Sequence, residues 1–172
     1  MKKKVIIDCD VGVDDALALI LAFHSPGLEV KAVTGVNGNV PIDTVFPNIQ
    51  KVLSLIQPPD QPVIARGASH PLKRKSFYAH SVHGEDGLGG AKTFYLHDPL
   101  AVGGVTDPEL MSKEKLALYV ETEEGERYGQ VWEVAAGKGL QNIEVCLGVN
   151  SGKFLELFLS SLSLPNRIAK GS

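Results

Sequence analysis

The sequence predicts an α/β fold: an open, mostly parallel, Rossmann-like sheet flanked by helices. Two observations carry that expectation. An apolar β-branched run, Val5-Ile6-Ile7, opens the chain and gives way within a few residues to a helical pattern. Strand-like and helix-like segments then alternate through 5–10, 14–23, 29–35, 43–56 and 62–65. Strand, helix, strand, helix, strand at this spacing implies right-handed crossovers and parallel pairing. A chain of 172 residues suits a single domain, 1–172, able to bury roughly 70% of its unfolded surface.

Taken in order, Val5–Asp10 reads as a buried strand, with Asp8 and Asp10 on one face by the period of two. Val11-Gly12-Val13 forms a tight turn. Asp14 or Asp15 starts a helix that runs to Phe23, its first-turn acids favoured by the helix dipole. Ser25-Pro26-Gly27 stops it. Glu29–Gly35 is the second strand, Asp43–Ile56 the second helix and Pro62–Ala65 the third strand. Ligands of such sheets sit beyond the carboxyl ends of the strands. Asp10 follows strand one, and Asn37-Gly38-Asn39 follows strand two. The loop 67–90, with His80 and His83-Gly84-Glu85-Asp86-Gly87, follows strand three, so all three groups point toward one rim.

In the second half, His97-Asp98-Pro99-Leu100-Ala101-Val102 opens a short helix with Asp98 near its N-terminus. Segments 116–121 and 130–135 read as strands joined by the acidic turn Glu121–Arg127. Ile143–Val149 reads as another strand and Lys153–Leu162 as a closing amphipathic helix. The glycine-rich stretch 87–93 places a seam within the domain near 90–96. There is no internal repeat and no low-complexity segment.

A net charge of −3 gives no electrostatic reason for nucleic acid or an anionic membrane as a partner. The two cysteines, Cys9 and Cys146, cannot build a disulfide framework and, lying in apolar runs, read as buried reduced thiols of a cytosolic protein. Lys2-Lys3-Lys4 resembles the start of a signal peptide, but Asp8 and Asp10 interrupt what would be its apolar core. No run approaches transmembrane length. A soluble, cytoplasmic protein is expected.

The chemistry concentrates in Asp8, Asp10, Asp14 and Asp15, four aspartates within eight residues. Carboxylates packed this closely repel by roughly several kcal/mol per pair where water is partly excluded. Such a cluster needs raised pKa values or a cation, and oxygen ligands alone suit Ca²⁺ or Mg²⁺ rather than zinc. The bland alternative is a capped helix start plus a solvent-facing acid. Another is an Asp-x-Asp, Mg²⁺-dependent phosphohydrolase, whose further hydroxyl, lysine and acidic pair are not evident here. His83 and His97 read either as ordinary surface or capping histidines or as proton donors. His97 directly before Asp98 would set a donor beside a further carboxylate. Asn39 is a turn residue whose rim position is its functional hint. The loop Gly84–Gly90 lacks Gly-Lys-Ser/Thr and is not a P-loop, and the acids of 121–126 read as a solvated hairpin.

Together, Asp8-Cys-Asp10-x-Gly12-x-Asp14-Asp15-Ala16, Val36-Asn-Gly38-Asn39, His83-Gly84-Glu85-x-Gly87 and His97-Asp98-Pro99-Leu100-Ala101-Val102 resemble the inosine-uridine-preferring nucleoside hydrolases. The resemblance spans nearly the whole chain. It implies Ca²⁺-dependent hydrolysis of the N-glycosidic bond of ribonucleosides such as inosine or uridine, a salvage reaction. On that resemblance Asp10, Asp15 and Asp98 hold calcium, and Asp10 also deprotonates the attacking water. Asp14, Asn39 and Asp98 hold the ribose hydroxyls, and His97 or His83 lies near the departing base.

Two departures stand out. The family's long central segment, between the His-Gly-Glu loop and the His-Asp-Pro motif, is missing, because Gly90 and His97 are seven positions apart. The fold is thus expected to be a truncated version of the family's, without the ribose-binding and calcium-binding groups that the segment supplies. Val11 replaces a usual proline and is expected to loosen its turn. A catalytically silent, shortened homologue that binds a metal or a partner chain is the alternative function. Without the central strands, a sheet edge beside the first strand is exposed, so homo-oligomerisation or self-association is expected.

Overall fold

The computed structural model describes residues 1–89, 95–135 and 142–162. Its first half is a three-stranded parallel sheet with strand order β1 (Lys3–Cys9), β2 (Leu28–Gly35), β3 (Val63–Arg66). β1 is in register with β2 from Lys3 opposite Leu28 to Cys9 opposite Gly35, with one irregularity between Val5 and Ile6. Helix α1 (Val13–His24) connects β1 to β2, and α2 (Ile42–Ile56) connects β2 to β3.

The strand order advances in one direction, so two right-handed crossovers place both helices on the same face of the sheet. One core results. Cys9, Val11, Leu19, Val33, Val40, Ile42, Val45, Ile49, Val52 and Leu53 are buried together there. The sheet's other face is open: Ile6 is 69% exposed and Val63 66%. The first strand is therefore buried on one face only, because α1 and α2 cover one face only. Among the described residues β1 also has a free edge, since it pairs only with β2.

α1 is apolar almost all round, Ala16-Leu-Ala-Leu-Ile-Leu-Ala-Phe23, as expected of a helix buried on two sides. Leu19 faces the first core, while Leu21 joins Leu110, Phe154 and Phe158 in a second cluster. That second cluster packs α1 against α4 (His97–Thr106) and α5 (Ser151–Leu162), with Leu96 and Leu100 at its margin. Between β3 and α4 lies the single-turn helix α3 (His80–His83).

The rest of the second half forms two antiparallel ribbons. β4 (Met111–Leu116) pairs with β7 (Ile143–Val149), and β5 (Leu118–Val120) pairs with β6 (Val131–Glu133). Cys9 is buried as expected, but Cys146 is exposed, because β7 is largely uncovered along its length. The sequence suggests one strand over 116–121. The structure divides it at Ala117, which is buried and whose carbonyl accepts the Val134 N–H, so the chain changes partners there. The expected seam near 90–96 falls largely on residues 90–94, outside the described residues. No described helix is long and apolar enough to cross a membrane.

Candidate active site

β1 ends at Cys9, and the next three residues turn the chain into α1. Val11 is wholly buried and has φ 37°. This left-handed conformation costs a β-branched residue about 1–2 kcal/mol, and proline, held near −65°, could not adopt it. The turn therefore follows a backbone path that proline at this position could not take. Asp15 Oδ2 accepts the Gly12 N–H at 2.8 Å, satisfying one free donor of the helix start. Gly12 is needed for a second reason: a Cβ there would overlap the His83 ring. His83 is buried, its Nδ1 accepts the Val13 N–H at 3.2 Å, and it lies 3.9 Å from Asp14 Oδ1.

Asp14 and Asp15, in the first turn of α1, meet Asp98 from the first turn of α4. The three present oxygens that all lie within 4.8 Å of one another. Asp10 lies near Asp15 and acts on its carboxyl, but it is not one of the three that converge. Its own oxygens accept the Asn39 backbone N–H at 2.5 Å and Asn39 Nδ2 at 3.0 Å. A Cβ on Gly38 would overlap the Asp10 carboxylate, so the turn can approach Asp10 only with glycine at that position.

Electrostatics follow from the crowding. Burial, with Asp10 and Asp98 nearby, pushes the Asp15 carboxyl from 3.8 up to about 8. Burial and the neighbouring Asp14 raise Asp98 in the same direction. Asp14 Oδ1 is shielded from solvent and receives no hydrogen bond from the described residues. The carboxyls of Asp15 and Asp98 converge with that of Asp14, and no Lys or Arg among the described residues is ion-paired with Asp10, Asp14, Asp15 or Asp98. A solvent-shielded carboxylate oxygen in such company suits a hard cation with oxygen ligands. Asp8 lies apart from this group: it is exposed and accepts a hydrogen bond from Thr34 Oγ1.

The other candidates are placed as follows. His97 is exposed at the head of α4, its ring stacked on Tyr95 with centroids 5.2 Å apart. Asn39 spends both its backbone N–H and its side-chain amide donor on Asp10, leaving the side-chain carbonyl as a further polar group. Two contributors escape sequence reasoning. Asn48 is fully buried on α2 and donates to the Asp86 carbonyl at 2.6 Å, fixing the loop that carries His83. An amide on the apolar stripe of an amphipathic helix was its available signal. The other is the bracing by Asn37, a residue the sequence already sets on the rim: it bonds to Ser76 and Tyr78, partners that nothing in the sequence indicates.

Known proteins give this arrangement a context. Residues 5–95 match the family described as inosine-uridine preferring nucleoside hydrolase. The pyrimidine-specific ribonucleoside hydrolase RihA of Salmonella schwarzengrund (strain CVM19633) is 47% identical over 114 residues, 66% of this chain and 35% of that protein. RihA of Salmonella enteritidis PT4 (strain P125109) is 46% identical over the same length, with the same coverage. The chain thus spans about a third of the length of these curated relatives. Among solved structures, a plant nucleoside hydrolase superposes with TM-score 0.84 at 18% identity, covering 96% of this chain and 100% of that one. A purine-preferring ribonucleoside hydrolase from Gardnerella vaginalis gives 0.81 at 17%, covering 93% and 98%. At those identities the likeness speaks for the fold. The sequence match over more than half the chain speaks for descent: this chain belongs to the inosine-uridine preferring nucleoside hydrolase family.

Proposed function

We propose that the chain hydrolyses the N-glycosidic bond of ribonucleosides in a calcium-dependent reaction centred on its aspartates. The observation that carries this reading is the meeting of Asp14 and Asp15 with Asp98, over eighty positions away, with the buried Asp14 Oδ1 receiving no hydrogen bond from the described residues. Asp10, Asp15 and Asp98 are the residues that hold Ca²⁺. Calcium bound there would supply the charge that offsets these carboxylates and would acidify a water molecule.

The protein's own groups do the rest. Asp10, fixed by two hydrogen bonds from Asn39, takes the proton of the attacking water. Asp14 and Asp98 accept the ribose hydroxyl hydrogens, with the Asn39 side-chain carbonyl as a further acceptor. Their negative charge favours the oxocarbenium character that develops as the bond to the base breaks. Because His83 Nδ1 accepts the Val13 N–H, the neutral ring carries its proton on Nε2, from which it can donate a hydrogen bond to the departing base while water supplies the proton that the base takes up. His97, exposed on Tyr95, is the second candidate for that role.

The relatives named pyrimidine-specific make uridine the first substrate to try, and inosine the second. A binding-only reading is favoured by the short interval between Gly90 and His97, seven positions apart, where the family resemblance expects a long segment with further ligand-binding groups. It predicts calcium uptake without turnover. The free edge of β1 and the open sheet face support self-association in either case. The test is calcium titration by calorimetry together with ribose release from uridine and inosine. Calcium uptake and turnover that Asp10→Asn abolishes support hydrolysis. Calcium uptake without ribose release supports the silent form, and absence of both overturns the reading.

A further inference from the structure

We propose that Asn37, Ser76 and Tyr78 form a brace that positions Asp10, working through Asn39 without touching substrate or cation. The inference rests on the reading of Asp10 given above, and it concerns how that carboxylate is held. Asp10 lies one residue past the last paired residue of β1, so no strand pairing fixes it. Its carboxylate depends on the Asn39 N–H and Nδ2, at 2.5 and 3.0 Å. The turn that carries Asn39 is weakly closed on itself, with a bond of 3.4 Å between the Gly38 N–H and the Val40 carbonyl.

What holds the turn is the loop beyond β3. The Ala79 N–H donates to the Asn39 carbonyl at 2.8 Å. Asn37 Nδ2 donates to Ser76 Oγ at 3.1 Å, and the Tyr78 hydroxyl donates to Asn37 Oδ1 at 3.3 Å. One side-chain amide thus uses both its donor and its acceptor on the same loop. Three bonds bind 76–79 to 37–39, and two bind Asn39 to Asp10. Asn37, Ser76 and Tyr78 are all partly buried, where such bonds are less exposed to competition from water. A shift of the 76–79 loop therefore moves the carboxylate that takes the proton from water.

The test uses the full chain, with Asn37→Ala and Tyr78→Phe, the latter removing one hydroxyl and leaving the ring. Hydrogen exchange by NMR reads the Asn39 amide, with the Val33 amide in the middle of β2 as internal reference. Calorimetry with CaCl₂ reads the cation site. Each variant is expected to lower Asn39 protection and calcium affinity by about three- to tenfold, the size of one hydrogen bond's net contribution, with Val33 unchanged. Unchanged Asn39 protection, or an equal loss at Val33, overturns the brace. If the parent chain takes up no calcium while Asn39 protection still falls in the variants, the brace stands and the metal reading fails. If calcium binds but neither Asn39 protection nor affinity responds, the metal reading stands and the brace fails.

Discussion

Asp15→Asn should stabilise the calcium-free protein at neutral and alkaline pH while it removes calcium binding. Asp15 is 7% exposed, and its carboxyl is pushed from 3.8 up to about 8, first by burial and then by Asp10 and Asp98. The folded-state value is raised, so the folded protein holds a proton that the unfolded chain has already released. Below 3.8 both states are protonated and the site costs nothing. As pH climbs from 3.8 toward 8 the unfolded state is increasingly favoured, and above 8 the penalty is constant. At about 1.4 kcal/mol per pH unit, this window caps the penalty at roughly 6 kcal/mol. Asp98 bears part of the same repulsion, so a single neutral substitution should recover about 2–4 kcal/mol at pH 8.

Asn keeps the shape of the side chain and its Oδ1 can still accept the Gly12 N–H, so the helix start survives. Thermal unfolding in chelator should therefore show Asp15→Asn melting about 5–15 °C above the parent at pH 8, with the two curves converging near pH 4. Added Ca²⁺ should raise the melting point of the parent and leave the variant unmoved. A variant that is less stable than the parent at pH 8 in chelator would show that Asp15 is satisfied within the fold. The electrostatic case for a cation would then collapse.

Three further outcomes are expected. Gly38→Ala forces a methyl group into the space of the Asp10 carboxylate; calorimetry should show calcium affinity at least about tenfold weaker, because a charged ligand is displaced from its geometry, with little change in metal-free melting. Calcium binding by the parent should be no tighter than micromolar, since Asp10, a bidentate Asp15 and Asp98 supply only about four of the six to eight oxygens Ca²⁺ takes; submicromolar affinity in the same titration would mean an additional ligand. The free edge of β1 and the exposed Ile6 and Val63 should drive self-association; sedimentation showing a monomer at high concentration would mean that this edge and face are covered.

The parallel half of the fold was legible because each element announces itself locally. β1 is a β-branched run, α1 an apolar helix with acids in its first turn, and each connection carries Pro or Gly. The first strand's one-sided burial was not legible, because Val5-Ile6-Ile7 is apolar at every position and says nothing about which face is covered. β4 was invisible for the opposite reason: Met111-Ser-Lys-Glu-Lys-Leu116 is mostly polar, and only its pairing with β7 makes it a strand. Within the site, the aspartates and His83 could be singled out by residue type and spacing. Asn37 could be set on the rim but its bonds to Ser76 and Tyr78 could not be foreseen, since an Asn in a turn looks the same whether it faces water or, as here, links two distant loops.

The position of Asp98 shows how an apolar cluster sustains an electrostatically unfavourable site. No cationic side chain draws Asp98 to Asp14 and Asp15: among the described residues no Lys or Arg forms an ion pair with any of them. Its carboxyl is brought there because α4 is packed on α1, through a cluster in which Leu21, Leu110, Phe154 and Phe158 are buried and Leu17, Leu96 and Leu100 lie alongside. Burying four large apolar side chains contributes about 1.5–3 kcal/mol each, enough to offset the several kcal/mol of repulsion among the acids. The cluster begins within one helical turn of the aspartates on both helices, at Leu17 on α1 and Leu100 on α4. The apolar packing and the charge crowding therefore act on the same helix ends in opposite directions. A cation at the acids would relieve one without disturbing the other, so calcium should tighten the α1–α4 contact that the metal-free protein holds by packing alone.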